Sequence, residues 1–331
     1  MASKRASSGL TFKATMAQVS VPASSANVGP GFDCFGIALE LRDRYAAQVL
    51  DDPTFDVDVT GEGADEVKKD AKNLVIKAMM HGFEHMGGKP KGIALRALNV
   101  IPHGRGLGSS ASAIVGGLTL ARSLVLTGEQ YMSDEDLITL ATELEGHPDN
   151  VAAAFYGGAT IAWLENSIDA AGVTKSIGKA VSLKVDDRIK ALLLVPDNQL
   201  ATAKARKLLP ETISHQDAVL NSSRAALLVH ALAQRPDLLF NATEDLLHQS
   251  YRASAMPKTI ALMQKLRGAG LAAVVSGAGP SVMVLYANSE DEIDQIPSLA
   301  PGFTAMKLAI ESDILIACDR RPPGLFLKSK M

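Results

Sequence analysis

The ten residues Pro102-His103-Gly104-Arg105-Gly106-Leu107-Gly108-Ser109-Ser110-Ala111 set three glycines and two serines between an alternating apolar run and a long helical pattern. Glycine lets backbone approach a ligand closely, and the start of a helix offers unpaired N–H groups and the positive end of its dipole. The composition therefore reads as a cradle for an anion, phosphate foremost. It is not a Walker A loop, because the required lysine is missing. A dinucleotide fingerprint is formally satisfied by Gly106-x-Gly108-x-x-Ala111. That fingerprint also needs a strand ending in an acidic residue about 20 positions on. Here the helical pattern runs to Leu126, and Glu129 and Asp134 fall in a loop and at a helix start. A turn without a ligand is disfavoured by the entropy that its glycines lose on folding. His81 and His85 share an i, i+4 spacing, but they lack the His-Glu-x-x-His pattern and a third ligand, so a helix surface is favoured over a zinc site.

The elements that must hold these residues are legible in the periodicity. Alternation and β-branched residues mark strands at Ala17 to Pro22, Tyr45 to Val49, Phe55 to Thr60, Ile93 to Pro102 and Gly158 to Leu164. Asn73 is a plausible N-cap for a helix over Leu74 to Glu84. Ser109 to Leu126 reads as a helix with Ile114, Leu118, Ala121 and Val125 on one stripe, and Ser133 with Asp136 resembles a capping box before Leu137 to Glu145. Beyond a polar stretch at 166–179, a strand is expected at Lys190 to Val195 and helices around Gln216 to Ala233, Leu238 to His248 and Lys258 to Gly268. The uncharged run from Gly270 to Ala287 is interrupted by Gly277, Gly279 and Pro280, which fits two buried strands around a turn better than a spanning helix. A last strand is expected near Asp313 to Ala317. Mixed strands and helices in both halves give a two-domain α+β protein with its break near residues 165 to 185.

A chain of 331 residues is long enough for about two domains of roughly 150 residues. Lys and Arg number 33 against 36 Asp and Glu, a net charge of -3, which offers no electrostatic footprint for nucleic acid or an anionic membrane. Two cysteines, Cys34 and Cys318, make no disulfide framework and favour a reducing, cytoplasmic compartment. No apolar stretch follows Lys4 and Arg5, so a secretory signal is not expected.

The segment from Pro102 to Ala111 resembles the Pro-x-x-x-Gly-Leu-Gly-Ser-Ser-Ala signature of the GHMP small-molecule kinases, which include galactokinase, homoserine kinase and mevalonate kinase, at every specified position. Val21-Pro22-Ala23-Ser24-Ser25-Ala26-Asn27-Val28-Gly29-Pro30-Gly31-Phe32-Asp33 is similar to the substrate motif of the homoserine kinases within that family. Glu143-Leu144-Glu145-Gly146-His147-Pro148-Asp149-Asn150-Val151-Ala152 is similar to their central motif, and Ser276-Gly277-Ala278-Gly279-Pro280-Ser281 to the third GHMP motif. Ala153 departs from the proline of many members, with little consequence expected. The resemblance implies a GHMP kinase fold, with a ribosomal S5 domain 2-like nucleotide domain at 16–170 and a ferredoxin-like α/β sandwich at 171–318. A mobile N-terminal extension (1–15) and a tail (319–331) flank them. It further implies transfer of the γ-phosphate of ATP to L-homoserine, a step of threonine biosynthesis, with Mg²⁺ as the second cofactor. A homodimer is left open.

The same resemblance distributes roles. ATP falls to Pro102, His103, Gly104, Arg105, Gly106, Leu107, Gly108, Ser109, Ser110 and Ala111, with Asn73. Mg²⁺ falls to Ser109, Ser110 and Glu143, with Glu145 as a nearby rival; otherwise these glutamates are a solvated helix face. Asn27, Asp33 and Asn150 are implied at the amino group and hydroxyl of the substrate, and Asx turns are compatible with that role for the first two. Arg206 and Arg252 are implied as forks for the substrate carboxylate, with Gly279 beside them. Ser109, Glu143 and Asn150 form the catalytic set. An amide is no base, and Asp149, expected in an extended loop, should point elsewhere, so a protein general base is not expected. Cys34 is expected to be a packing residue. The alternatives are another GHMP kinase, such as one acting on mevalonate, a catalytically silent nucleotide-binding regulator on the same fold, and, remotely, a nicotinamide oxidoreductase.

Overall fold

The computed structural model describes residues 9–168, 174–287, 290–311 and 316–318. The expected tail and the first eight residues of the expected extension lie outside these. In chain order the first half runs β1 (Ala17–Ala26), β2 (Phe35–Leu50), β3 (Phe55–Gly61), α1 (Leu74–His85), β4 (Gly92–Asn99), α2 (Ser109–Leu124), α3 (Asp134–Glu145), α4 (Asp149–Tyr156), β5 (Ala159–Ile168) and β6 (Thr174–Leu183). The second half runs β7 (Lys190–Pro196), α5 (Thr202–Arg206), α6 (His215–Ala233), α7 (Leu239–Ala242), α8 (Pro257–Gly268), β8 (Ala272–Val275), β9 (Val282–Tyr286), α9 (Glu290–Leu299), β10 (Phe303–Ala309) and β11 (Ile316–Cys318). A seven-stranded sheet has the order β11-β1-β2-β4-β3, with β5 on β2 and β6 on β5. Its β3 and β4 are parallel, and its other pairs are antiparallel. A four-stranded antiparallel sheet has the order β10-β7-β9-β8. The architecture is the expected α+β class, built on two sheets.

Period-2 alternation decides how the smaller sheet is used. In β7, Ala191, Leu193 and Val195 pack toward α6 and toward Ala23 and Ile37 of the larger sheet, whereas Leu192 and Leu194 pack toward α8 and α9. Both faces are buried, which is why the strand reads as a continuous apolar run. The larger sheet carries α1 to α4 on one face, with Ile114, Leu118, Ala121 and Val125 buried against it as one stripe. The Asn73 cap and the Ser133–Asp136 capping box both form. No helix among the described residues is long and apolar enough to cross a membrane.

Several expectations are corrected. Of the polar stretch 166–179, expected to join the halves, residues 166–168 and 174–179 belong to the paired strands β5 and β6, and 169–173 lie outside the described residues. Strand β11 returns to pair with β1, so the larger sheet also takes a strand from the chain's end. Within the expected extension, Phe12 bridges Val125 and packs edge-on against Phe83 at 5.5 Å. Val125 is extended there, and α2 ends at Leu124 rather than Leu126. The helix expected over Leu238 to His248 is only α7. The Asp245 carboxylate accepts from the backbone N–H groups of Leu247, His248 and Gln249, offering a turn in place of helical bonds. Asp149 does not lie in an extended loop but opens α4, an element without a strong apolar period of its own in the sequence.

One buried carboxylate joins the sheet to the glycine-rich turn. Asp43, fully buried in β2, accepts from the N–H groups of Val100 and Ile101 at 2.7 and 2.9 Å. Its other oxygen accepts from Tyr45 Oη at 2.9 Å and from Ser112 Oγ of α2 at 3.0 Å. Burial pushes the Asp43 carboxyl above the ordinary range even against these bonds. Asp43→Ala should orphan the Val100 and Ile101 N–H groups, leave Tyr45 and Ser112 only each other at 3.1 Å, and lower unfolding stability by about 3 kcal/mol or more in urea titration. A loss below about 1 kcal/mol would show that the network does not hold the turn.

Candidate active site

The glycine-rich turn lies where three chain segments meet. Gly108 is the N-cap of α2 at φ 70°, and a Cβ there would collide with Ser24 Oγ. Gly106, at φ 74°, would collide with the carbonyl of Ser276. Only glycine tolerates both the left-handed backbone and the missing space. Because Gly108 has no side chain to cap α2, the first N–H groups of the helix face the cleft. Ser24 N donates to Leu107 O at 3.1 Å, Ser276 Oγ to Gly106 O at 2.7 Å, and Gly277 N to Ala26 O at 3.0 Å.

Around this turn is a cleft of about 400 Å³. At one end Tyr45, Val59, Val67, Val75 and Ala97 form an apolar slot, with the amides of Asn73 and Asn99 at its edge. Pro102, His103, Gly104, Gly106, Leu107, Gly108, Ser109 and Ser110 line the middle, and Asn27, Asn150, Arg206 and Arg252 line the other end. Sequence reading thus brings most of its residues to one cavity.

At the polar end the Arg206 guanidinium grips both oxygens of Asp33 at 2.7 Å. Asn27 Oδ1 accepts from Asp33 N at 2.8 Å, and both residues have φ near 54°, an αL conformation that Asx residues tolerate. The guanidinium carbons of Arg206 and Arg252 lie over the ring of Phe32 at 5.3 and 5.5 Å. Arg252 is 2% exposed, and its Nη1 donates to Gly277 O at 3.2 Å. Ser24 Oγ donates to Asn150 Oδ1 at 2.9 Å, fixing that amide.

Five of the expected site residues do not line the cleft. Asp33 stands behind Arg206, which it orients. Ala111 is buried in the core under α2, and Gly279 packs between Gly106 and Met256. Arg105 turns its guanidinium away onto the carbonyls of Pro196, His103 and Asp197, tying the turn to the end of β7. Glu143 points off α3 to His81 Nε2 at 3.2 Å, outside the cleft, because two residues along a helix turn a side chain to the opposite flank. Its rival Glu145 lines the cleft and accepts from Ser110 Oγ at 2.6 Å. The carboxylate beside the cradle is therefore Glu145. Burial pushes its carboxyl up, and the bond from Ser110 pulls it back in part. His85 faces Asp136 at 3.9 Å, so the two α1 histidines have separate partners, and no cluster of three metal-ligating side chains occurs among the described residues. Burial, then Asp149 and Asp33, raise the Cys34 thiol, in keeping with a packing role.

The profile of the GHMP kinases N terminal domain matches residues 73–158, and that of the GHMP kinases C terminal domain matches 223–298. A homoserine kinase of Streptomyces coelicolor is 43% identical, over 92% of this chain and 99% of its own. One of Mycobacterium tuberculosis is 45% identical, over 93% and 96%. The chain belongs to the homoserine kinases of the GHMP family. A crystal structure of homoserine kinase from Cytophaga hutchinsonii superposes with a TM-score of 0.76 at 25% identity, covering 94% of this chain and all of that one.

Sequence reading passed over His147 and Phe32, although both lie inside the motifs that carry the resemblance. His147 lines the cleft, and its Nδ1 meets the fully buried Asp149 Oδ1 at 2.7 Å, an oxygen that also accepts from Asn150 N. Burial alone would push this histidine down, but the Asp149 carboxylate, helped by Glu145 and Asp33, outweighs it and holds the pKa above the ordinary value. The bond from His147 therefore adds stability that is complete below about pH 6.5 and lost as pH rises through the higher folded value. NMR titration should place the His147 midpoint above about 6.5, and Asp149→Asn should bring it down. A midpoint at or below the ordinary value in the unmodified protein would remove the ion pair.

Proposed function

We propose that the protein transfers the γ-phosphoryl group of ATP to the hydroxyl of L-homoserine, giving O-phospho-L-homoserine in threonine biosynthesis. The observation that carries this reading is the pair of guanidiniums over Phe32 beside the Asp33 carboxylate, at the end of a cleft whose middle is the cradle. Such an array complements a small zwitterion: Arg206 and Arg252 take its carboxylate, and Asp33 and Asn27 supply oxygens near its ammonium. The apolar slot suits a nucleobase, and the N–H groups of α2 suit the phosphates. Mevalonate, which has no amino group, would bring no ammonium to the oxygens of Asn27 and Asp33.

Ser110 and Glu145 present two hard oxygens 2.6 Å apart at the edge of the cradle, a donor set that fits Mg²⁺ completed by phosphate and water. When bound there, the ion supplies charge neutralisation on the transferring phosphoryl group. Asn150 orients the acceptor: Ser24 occupies its Oδ1, which leaves Nδ2 to donate to the hydroxyl oxygen. Asp149 is fully buried beneath the cleft and held by His147, so it is not placed to take the hydroxyl proton. The reading is of catalysis by positioning and charge stabilisation, without a protein base.

ADP release should be robust with homoserine and weak with serine, mevalonate or galactose; turnover only with mevalonate or galactose would overturn the assignment. Arg206→Lys and Arg252→Lys keep the charge but lose the planar fork, and each should raise the KM for homoserine by about tenfold or more while the KM for ATP stays within about twofold. An effect confined to ATP would move these arginines to the nucleotide half.

Glu145→Gln should lower kcat by about a hundredfold and weaken the Mg²⁺ dependence, whereas Glu143→Gln should stay within about twofold. The reverse order in Mg²⁺ titrations of the two variants would restore Glu143 as the ligand.

A further inference from the structure

The geometry points to His248 as a positioning residue for the transfer: its neutral imidazole ties the loop bearing Asn27 and Asp33 to Arg252, and taking up a proton breaks that tie. The inference rests on the placement of Arg252 at the substrate carboxylate.

His248 lies in the turn shaped by Asp245, is fully buried, and stacks on Phe32 with ring centroids 5.3 Å apart. Its Nε2 is 2.8 Å from Gly29 O, and its Nδ1 is 3.2 Å from Arg252 Nη1. A carbonyl only accepts, so Nε2 carries the hydrogen; a guanidinium only donates, so Nδ1 is bare. Both ends thus fix one neutral tautomer. Gly29 lies between Asn27 and Asp33, with its backbone against that of Thr243. The imidazole is therefore a strut between the ammonium side and the carboxylate side of the substrate end. It also fixes how Arg252, whose Nε is buried and without a partner, presents the rest of its fork.

A proton on Nδ1 would set N–H against N–H and place a second positive charge beside the guanidinium in a dry interior. The charged groups facing the ring are Asp245 in its own turn, with Oδ1 3.6 Å from Nε2, Arg252 from the following turn, and Asp33 from the substrate loop, while Arg206 acts through Arg252. Asp245 and Asp33 favour the protonated ring, but Asp245 is already engaged by three backbone N–H groups. Burial is the largest influence and, with Arg252, keeps the imidazole below its ordinary value. Protonation is therefore deferred to acid pH, and when it comes it costs substrate binding and not nucleotide binding.

The test is the KM for homoserine, with the KM for ATP as internal control, from about pH 8 down to about pH 5. In the unmodified protein the homoserine KM should rise at acid pH with a midpoint below about 6.5, and the ATP value should stay flat. His248→Leu removes the strut and should raise the homoserine KM by about tenfold across the range. His248→Gln restores a donor and an acceptor that do not titrate, so its KM should lie below that of the leucine variant and lose the acid rise. An acid rise unchanged in His248→Gln would overturn the proposal. Should the variants not fold, the ring ¹⁵N shifts of the unmodified protein near about pH 7.5 decide, with Nδ1 bare and Nε2 protonated expected; a hydrogen on Nδ1 overturns it. This readout is independent of the carboxylate assignment, which fails separately if Arg252→Lys leaves the homoserine KM unchanged.

Discussion

The last residues of β1 form the seam on which the site depends. Ser24 bonds to the glycine-rich turn through its backbone and to Asn150 through its hydroxyl. Ser25 Oγ lies 2.9 Å from Ser276 Oγ, to which it can donate, and Ala26 O accepts from Gly277 N. Three segments from both sheets thus approach at backbone distance, with Gly106 and Gly108 where no Cβ has room. A phosphate cradle needs N–H groups aimed at one point, and here they are aimed by packing against two other loops rather than by the turn's own bonds. The Asn150 amide is held by the same serine that supports the turn, so one piece of strand fixes both.

Around that seam the protein buries charge in matched sets. Asp43 faces four donors, Asp149 faces His147 and its own helix start, and Arg252 is held between Gly277 and His248. The Asp43 and Arg252 sets each link separate segments of the chain, and the Asp149 set fixes the start of α4. Such groups are expensive to bury. Their cost is consistent with a site in which orientation, not a protein base, carries the catalysis.

The sequence by itself determined the backbone of the glycine-rich turn and the local elements that bear it. The spacing of Gly104, Gly106, Gly108 and Ser109, the Asn73 cap and the Ser133–Asp136 box are local signals, complete within a few residues, and the structure shows the backbone and caps they dictate. The continuous apolar runs of β7 and β9 likewise report burial on both faces without any knowledge of topology. Only the tertiary structure decided which of Glu143 and Glu145 lies beside the glycine-rich turn. Both stand on one helix, and which flank of α3 meets Ser110 depends on how that helix packs against α2. It also decided that Arg105 braces β7 while Arg206 and Arg252 meet over Phe32, since these guanidiniums find partners far away along the chain. The return of β11 to β1 and the pairing of the polar β5–β6 ribbon were invisible for the same reason: neighbours in a sheet are set by long-range pairing, whereas sequence patterns report only the faces of one element at a time.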